Sequence, residues 1–444
     1  MGDPNMDLNA REQTERLLDF IRRSPTAFNA AENAGAILRE AGFEPLEEAA
    51  RWDLRPGGRY FVTRNLSSVI AFRVPEGPAR QVLIAASHTD SPMFKLKSNC
   101  EAVAFDQYLK LDTEVYGGTI FSSWLDRPLS VAGRVILKKD GEFTARTVAI
   151  DRDLLLIPNV AIHMNREINN GYAYNPAVDL MPLFGAAKEK GALKKTVADA
   201  LGCAPEEIVG SDLFVYNRAP GSVWGAADEF FSAPRIDNLM CAWGTLQGFL
   251  AARARPGSLD VWFSADNEET GSETRQGAGS AFLRDTLERV CKATGNDLVP
   301  LLSSGFMVSA DNGHARHPNH PELCDPLNTP HMGGGVVIKS NAAQHYTTDG
   351  LSEAVFRAIC EKAGVPVQLF ANRSDLRGGS TLGSISNTKV PIRSVDVGMA
   401  QLSMHSAYET AGTADTAYLV SAMKQFFESN VQSGSDRSVR LSFD

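Results

Sequence analysis

No stretch of this chain approaches the ~18–20 consecutive apolar residues that a membrane-spanning helix needs. It has no basic stripe and no block of like charge, and the net charge over 444 residues is −9. Affinity for nucleic acid rests on neutralising phosphates, so nucleic acid is excluded as the main partner. An acidic small substrate is not excluded, because one buried Lys or Arg outweighs the global field locally. Cysteine is sparse too: six are scattered along the chain with no C-x-x-C pair, which predicts free thiols in a reducing compartment. The opening "MGDPNMDLNAREQTERLLDF" lacks the apolar core of a secretion signal. Internal repeats and low-complexity linkers are missing as well. These absences leave a folded protein that is expected to be cytoplasmic.

A chain of this length exceeds what one core sustains, so about two domains are expected. Residues 7–23 and 26–41 read as amphipathic helices, with Gly42 suited to a left-handed cap. "RYFVTRN", "SVIAFRV" and "QVLIAA" read as strands. From 92 to 233 short alternating segments such as "EAVAFDQYLKLDTEV" and "DLFVYN" predict an antiparallel β-rich module. Beyond it the α/β texture returns: "IDNLMCAWGTLQGFLAARAR" reads as a helix, and "LDVWFSAD" and "PLLSSGFMVSAD" as strands. The expected organisation is an α/β domain of residues 1–91 and 234–444, interrupted by an insertion of residues 92–233.

Polar clusters follow several apolar strands directly. "VLIAAS" ends in His88-Thr89-Asp90, "LDVWFSA" in Asp266-Asn267-Glu268-Glu269, and "FMVSA" in Asp311-Asn312-Gly313-His314. "PIRSVDVG" leads shortly to His405, and Asp237 opens the long helix. Open α/β sheets bind ligands beyond the carboxyl ends of their strands, so these side chains should converge. Any single strand-end acid is more often a cap or turn former, but several clusters in one topology point to a common site. Imidazole and carboxylate without thiolate suit Zn²⁺, Mn²⁺ or Co²⁺. Five such ligands exceed the need of one catalytic ion, whereas two ions sharing a bridging carboxylate would use them all. Of the adjacent pair Glu268-Glu269, one can ligate while the other handles a proton.

"SHTDSP", "PRIDNL", "DNEETGS", "SADNGHARHPNHPE" and "MHSAYE" together resemble the aspartyl aminopeptidase family of di-zinc metallopeptidases, and the likeness spans nearly the whole chain. The resemblance implies an α/β/α sandwich of the zinc-exopeptidase type with an inserted β-rich dimerisation domain. It also implies one metal on His88 and Asp311, another on Glu269 and His405, and Asp237 between them. Glu268 matches the general base and Asp90 the acid that steadies the first histidine. His314, Lys339 and Tyr346 match substrate contacts. His163 matches a histidine that reaches a neighbouring subunit's site, with a role as a metal position left open. A homo-oligomer, often a dodecamer built from dimers, is implied too.

The expected chemistry is removal of an N-terminal residue, preferably Asp or Glu, from peptide substrates. Two divalent ions, zinc first and cobalt or manganese next, would assist, with Glu268 as base and Lys339 pairing the acidic side chain. A di-metal deacylase or carboxypeptidase acting on small amides is the rival within the same chemistry. A non-catalytic assembly protein with a structural metal is a rival from another class, but it would leave Glu268 without a duty. Paired acids also serve glycosidases, although that reading leaves the histidines unexplained.

Overall fold

The computed structural model describes residues 4–186, 190–376 and 378–443. Its centre is a nine-stranded mixed sheet in which Ser258–Ala265, Gln81–His88, Phe306–Ala310 and Ser394–Gly398 run parallel side by side. All four are buried along their whole length, which is why they read as near-continuous apolar runs rather than alternating ones. Helices cover both faces. Pro4–Arg23, Ala27–Glu40, Ile236–Ala251, Gly350–Ala363 and Thr413–Phe427 pack on one side, and Phe282–Thr294, Leu298–Ser303 and Leu382–Ser386 on the other. The result is the expected α/β/α sandwich. Gly42 takes φ +81°, as its capping position requires.

One segment departs from expectation. "PLLSSGFMVSAD" is not a single strand: Leu298–Ser303 is a short helix, and the strand begins only at Phe306. Gly305 marks the break, where a Cβ would meet Val82 Cγ1 at 2.5 Å, so only glycine allows this close approach of the chain.

Residues 93–217 build a six-stranded antiparallel sheet. The long strands Met93–Ala104, Tyr108–Tyr116, Leu129–Lys139, Glu142–Ala149 and Ile208–Asn217 supply most of it, and helix Ala192–Leu201 packs on its own separate core. The strands Ser222–Trp224 and Phe230–Ala233 belong elsewhere. They pair in a five-stranded sheet with Glu409–Gly412, Ala400–Leu402 and Gly313–His314. Sheet membership therefore changes between 217 and 222, before the sequence texture does. None of the described helices is long and apolar enough to cross a membrane.

Candidate metal centre

Strand register assembles the site. Ala265 lies level with His88, and Ser309 with Ala86, so the acids after Ala265 and Ala310 emerge beside His88 at one sheet edge. The long helix starts at the same edge. Its first turn is tied down by Asn238 Nδ2, which donates to Ala310 O at 2.9 Å, and by Asn312 Nδ2, which donates to Ile236 O at 3.1 Å. Asp237 is thereby held with its side chain buried. His405 arrives from the five-stranded sheet with φ +68°, a left-handed conformation that is costly for a side-chain-bearing residue and is held in place by its surroundings.

His88 Nε2 lies 3.6 Å from Asp237 Oδ1 and 3.4 Å from Asp311 Oδ1. His405 Nε2 lies 3.5 Å from Asp237 Oδ2 and 3.4 Å from Glu269 Oε2. The donor atoms thus form two groups, His88–Asp237–Asp311 and Asp237–Glu269–His405, sharing Asp237. A third, overlapping group joins His88 to Glu268 and Glu269. The outward nitrogens fix the tautomers. His88 Nδ1 faces Asp90 O at 3.1 Å and Asp90 Oδ1 at 3.3 Å, while His405 Nδ1 faces Gly118 O at 3.0 Å. An acceptor at each Nδ1 assigns the hydrogen of the neutral ring there, so that each Nε2 is the nitrogen facing the acids.

This donor set fits divalent cations. Asp90, Asp237, Glu268, Glu269 and Asp311 crowd around two imidazoles and the Lys339 ammonium. Asp237 Oδ1 and Glu269 Oε1 are buried without a hydrogen-bond partner. Leaving such oxygens unpaired costs ~1–3 kcal/mol each or more, unless a cation sits among them. The protonation pattern of these side chains reflects the same crowding. Burial, reinforced by Asp237, holds the Glu269 carboxyl well above the usual range. Burial also lifts Glu268 to about 8, with Asp311, Asp90 and Asp237 adding to the rise and His88 opposing it. Burial opposes protonation of His405, but Asp237 outweighs it and raises the imidazole to about 9. For Asp311 burial pushes upward, yet Lys339 and His88 prevail and lower it to about 2.

The cluster opens into a cleft of about 460 Å³ also lined by His314, Lys339, Tyr346 and Phe370. Lys339 is 2% exposed, its Nζ donating to Asn312 O at 3.2 Å and lying 3.7 Å from Asp311 Oδ2. His163 does not line this cleft. It lies exposed on a loop of the inserted module beside Ile162 and Met164, which are 47% and 81% exposed.

Two supporting residues carry no sequence signal of their own. Glu409 accepts the backbone N–H groups of Asp237 and His405, at 2.9 and 2.7 Å. It closes the "MHSAYE" string, and only that proximity to His405 hinted at it. Tyr116, whose hydroxyl donates to Asp90 Oδ2 at 2.7 Å, sits in an ordinary alternating strand.

Over residues 20–427 the chain matches the family model described as aminopeptidase I zinc metalloprotease (M18). A probable M18 family aminopeptidase 2 of Clostridium acetobutylicum is 43% identical over 430 residues, spanning 94% of this chain and 99% of that one. Among solved structures, a chain in the cryo-EM structure of the Ape4 and Nbr1 complex superposes with TM-score 0.92 at 34% identity, covering 96% of this chain and 87% of its own. A chain of the S. cerevisiae mApe1 dodecamer does so with TM-score 0.84 at 25% identity, covering 94% and 97%.

Proposed function

The chain belongs to the M18 family of zinc metalloproteases and is a metal-dependent aminopeptidase, and we propose that it holds two divalent cations and prefers peptides beginning with Asp or Glu. The observation that carries the two-cation reading is the Asp237 carboxylate, whose two oxygens face different imidazoles, at 3.6 and 3.5 Å. His88 and Asp311 would hold one ion, Glu269 and His405 the other, and Asp237 would serve both. Zinc suits these donors, and cobalt or manganese would accept the same set. Bound there, such ions supply the charge that polarises a scissile carbonyl, acidifies water and receives a free α-amine.

The chain's own groups do the rest. Glu268, outside both ligand pairs, takes a proton on its carboxylate and returns it to the leaving amine. Its backbone N–H donates to Asp90 Oδ1 at 3.1 Å, so the base is held at a fixed distance from His88. Tyr346, or His163 of a neighbouring copy, donates to the oxygen on which negative charge develops. The Lys339 ammonium reads an acidic first side chain, with His314 beside it.

Residues 1–91 and 222–444 carry this chemistry, while the six-stranded sheet of the insertion pairs subunits, as part of a homo-oligomer that grows from dimers to a dodecamer. The dodecameric relative and the exposed apolar residues flanking His163 support this assembly. The six free cysteines support a reducing, cytoplasmic setting. Metal analysis combined with Asp-, Glu- and Leu-anilide substrates, and with a peptide against its N-acetylated form, tests the proposal. Two ions per chain, faster turnover of the acidic anilides and no cleavage of the blocked peptide are expected. Cleavage of the blocked peptide would favour the deacylase reading.

A further inference from the structure

The geometry points to Tyr116-Gly117-Gly118, where a strand of the inserted sheet ends, as the outer support of both metal-binding histidines, with Tyr116 a positioning residue for the reaction. This rests on the assignment of His88 and His405 as ligands. The Tyr116 hydroxyl donates to Asp90 Oδ2 at 2.7 Å and accepts from Asn267 Nδ2 at 2.9 Å. Asp90 is 3% exposed, and its side chain does three things at once. Oδ1 faces His88 Nδ1 at 3.3 Å and accepts Glu268 N–H at 3.1 Å, while Oδ2 accepts Glu269 N–H at 3.2 Å. Tyr116 therefore fixes the carboxylate that shares His88 Nδ1 with the Asp90 backbone O, at 3.3 and 3.1 Å, and that pins the turn bearing both glutamates.

Two residues on, Gly118 O accepts from His405 Nδ1 at 3.0 Å, and this orients the second histidine directly. Both glycines lie close against the centre. A Cβ on Gly118 would lie 3.2 Å from His405 Nδ1, and one on Gly117, at φ +74°, would lie 3.1 Å from Glu269 Cβ. Three consecutive residues of the insertion thus brace both halves of the centre. Partners that orient metal-bound imidazoles set ligand basicity and ring direction, and their loss typically costs ~10–100-fold in metal affinity or activity. The insertion, expected to join subunits, is accordingly a mechanical part of the metal site.

Tyr116→Phe removes only the hydroxyl and leaves the ring packed edge-on against Phe214, at 5.6 Å. We expect zinc to leave the variant for a chelator about 10-fold faster or more, and kcat to fall by a similar factor while KM stays near wild type. In the metal-free protein, amide exchange across 266–271 should accelerate while the six-stranded sheet exchanges as before. Losses should not add in the Tyr116→Phe/Asp90→Asn double variant. Gly118→Ala, acting through His405 alone, should speed zinc release by a similar factor. Wild-type zinc release and wild-type exchange in Tyr116→Phe would overturn the positioning role. Full zinc retention by His88→Ala would instead overturn the ligand assignment, leaving the exchange result in the metal-free protein to decide on Tyr116 alone.

Discussion

Glu409 Oε2 accepts the backbone N–H of Asp237 at 2.9 Å, and through it the residue facing both imidazoles is locked to the strand that follows His405. The other oxygen of the same carboxylate takes the N–H of His405 itself, at 2.7 Å. Glu409 is 1% exposed, so neither N–H can turn to water if it leaves. Glu409→Gln keeps the volume but presents one acceptor where two are needed, and it sets an amide N–H₂ against one of the two donors. Zinc affinity should fall ~10–100-fold, as measured by competition with a chromogenic chelator. Unchanged affinity would make Glu409 a bystander.

Glu268→Gln should leave metal content intact and lower kcat by at least ~10²-fold, because an amide accepts no proton from water. Near-normal turnover in a fully loaded variant would remove Glu268 from the proton path.

The convergence of these side chains was legible because its signal is topological. Parallel strands buried on both faces read as apolar runs, and a polar residue after each run must emerge at the same edge, as His88, Asp266 and Asp311 do. Other parts left no such trace. Glu409 works by accepting backbone N–H groups, and any glutamate in a loop has that capacity. Tyr116 looks like every other half-buried tyrosine until the insertion is docked on the sheet. Pro300–Ser303, the end of a short helix, reads as strand because a short apolar run has no period that separates helix from strand. The pairing of 230–233 with 409–412 is long-range, so no local pattern could announce it.

Zinc loading of the metal-free protein should release protons. With the imidazole of His405 raised from its ordinary range to about 9, chiefly by Asp237 against the opposing effect of burial, the ring carries a proton below that pH. A cation needs the bare Nε2, so it must displace that proton, and apparent affinity should climb as pH rises toward about 9. Calorimetry in two buffers of different ionisation enthalpy measures the release at pH 7 to 8. Affinity flat across that interval would remove His405 from the ligand set.

Lys339→Met keeps the aliphatic volume and deletes the charge. If its ammonium meets the carboxylate of the first residue, kcat/KM for Asp and Glu anilides should fall by the equivalent of ~2–5 kcal/mol, and for Leu anilide far less. Lys339 also lies 3.7 Å from Asp311 Oδ2, so an equal loss on all three substrates would show that it only steadies the metal ligand.

His163 sits on an exposed loop, outside the cleft of its own chain. If it completes the site of an adjoining subunit, His163→Phe should bind metal normally and yet be nearly inactive in a homogeneous oligomer. Glu268→Gln should be inactive for a different reason, since its base is gone while its histidine is sound. In a mixed oligomer a His163→Phe chain keeps its base and ligands and can receive His163 from a Glu268→Gln neighbour. Co-expression of the two variants under separate affinity tags, followed by tandem purification, isolates such mixtures. Part of the wild-type rate should return in the doubly tagged fraction, because only some neighbours are of the complementary kind. Re-mixing purified homogeneous oligomers, where subunits do not exchange, should restore nothing. Silence in verified mixed oligomers would place the action of His163 within its own chain, and the assembly would then owe its existence to something other than a shared active site.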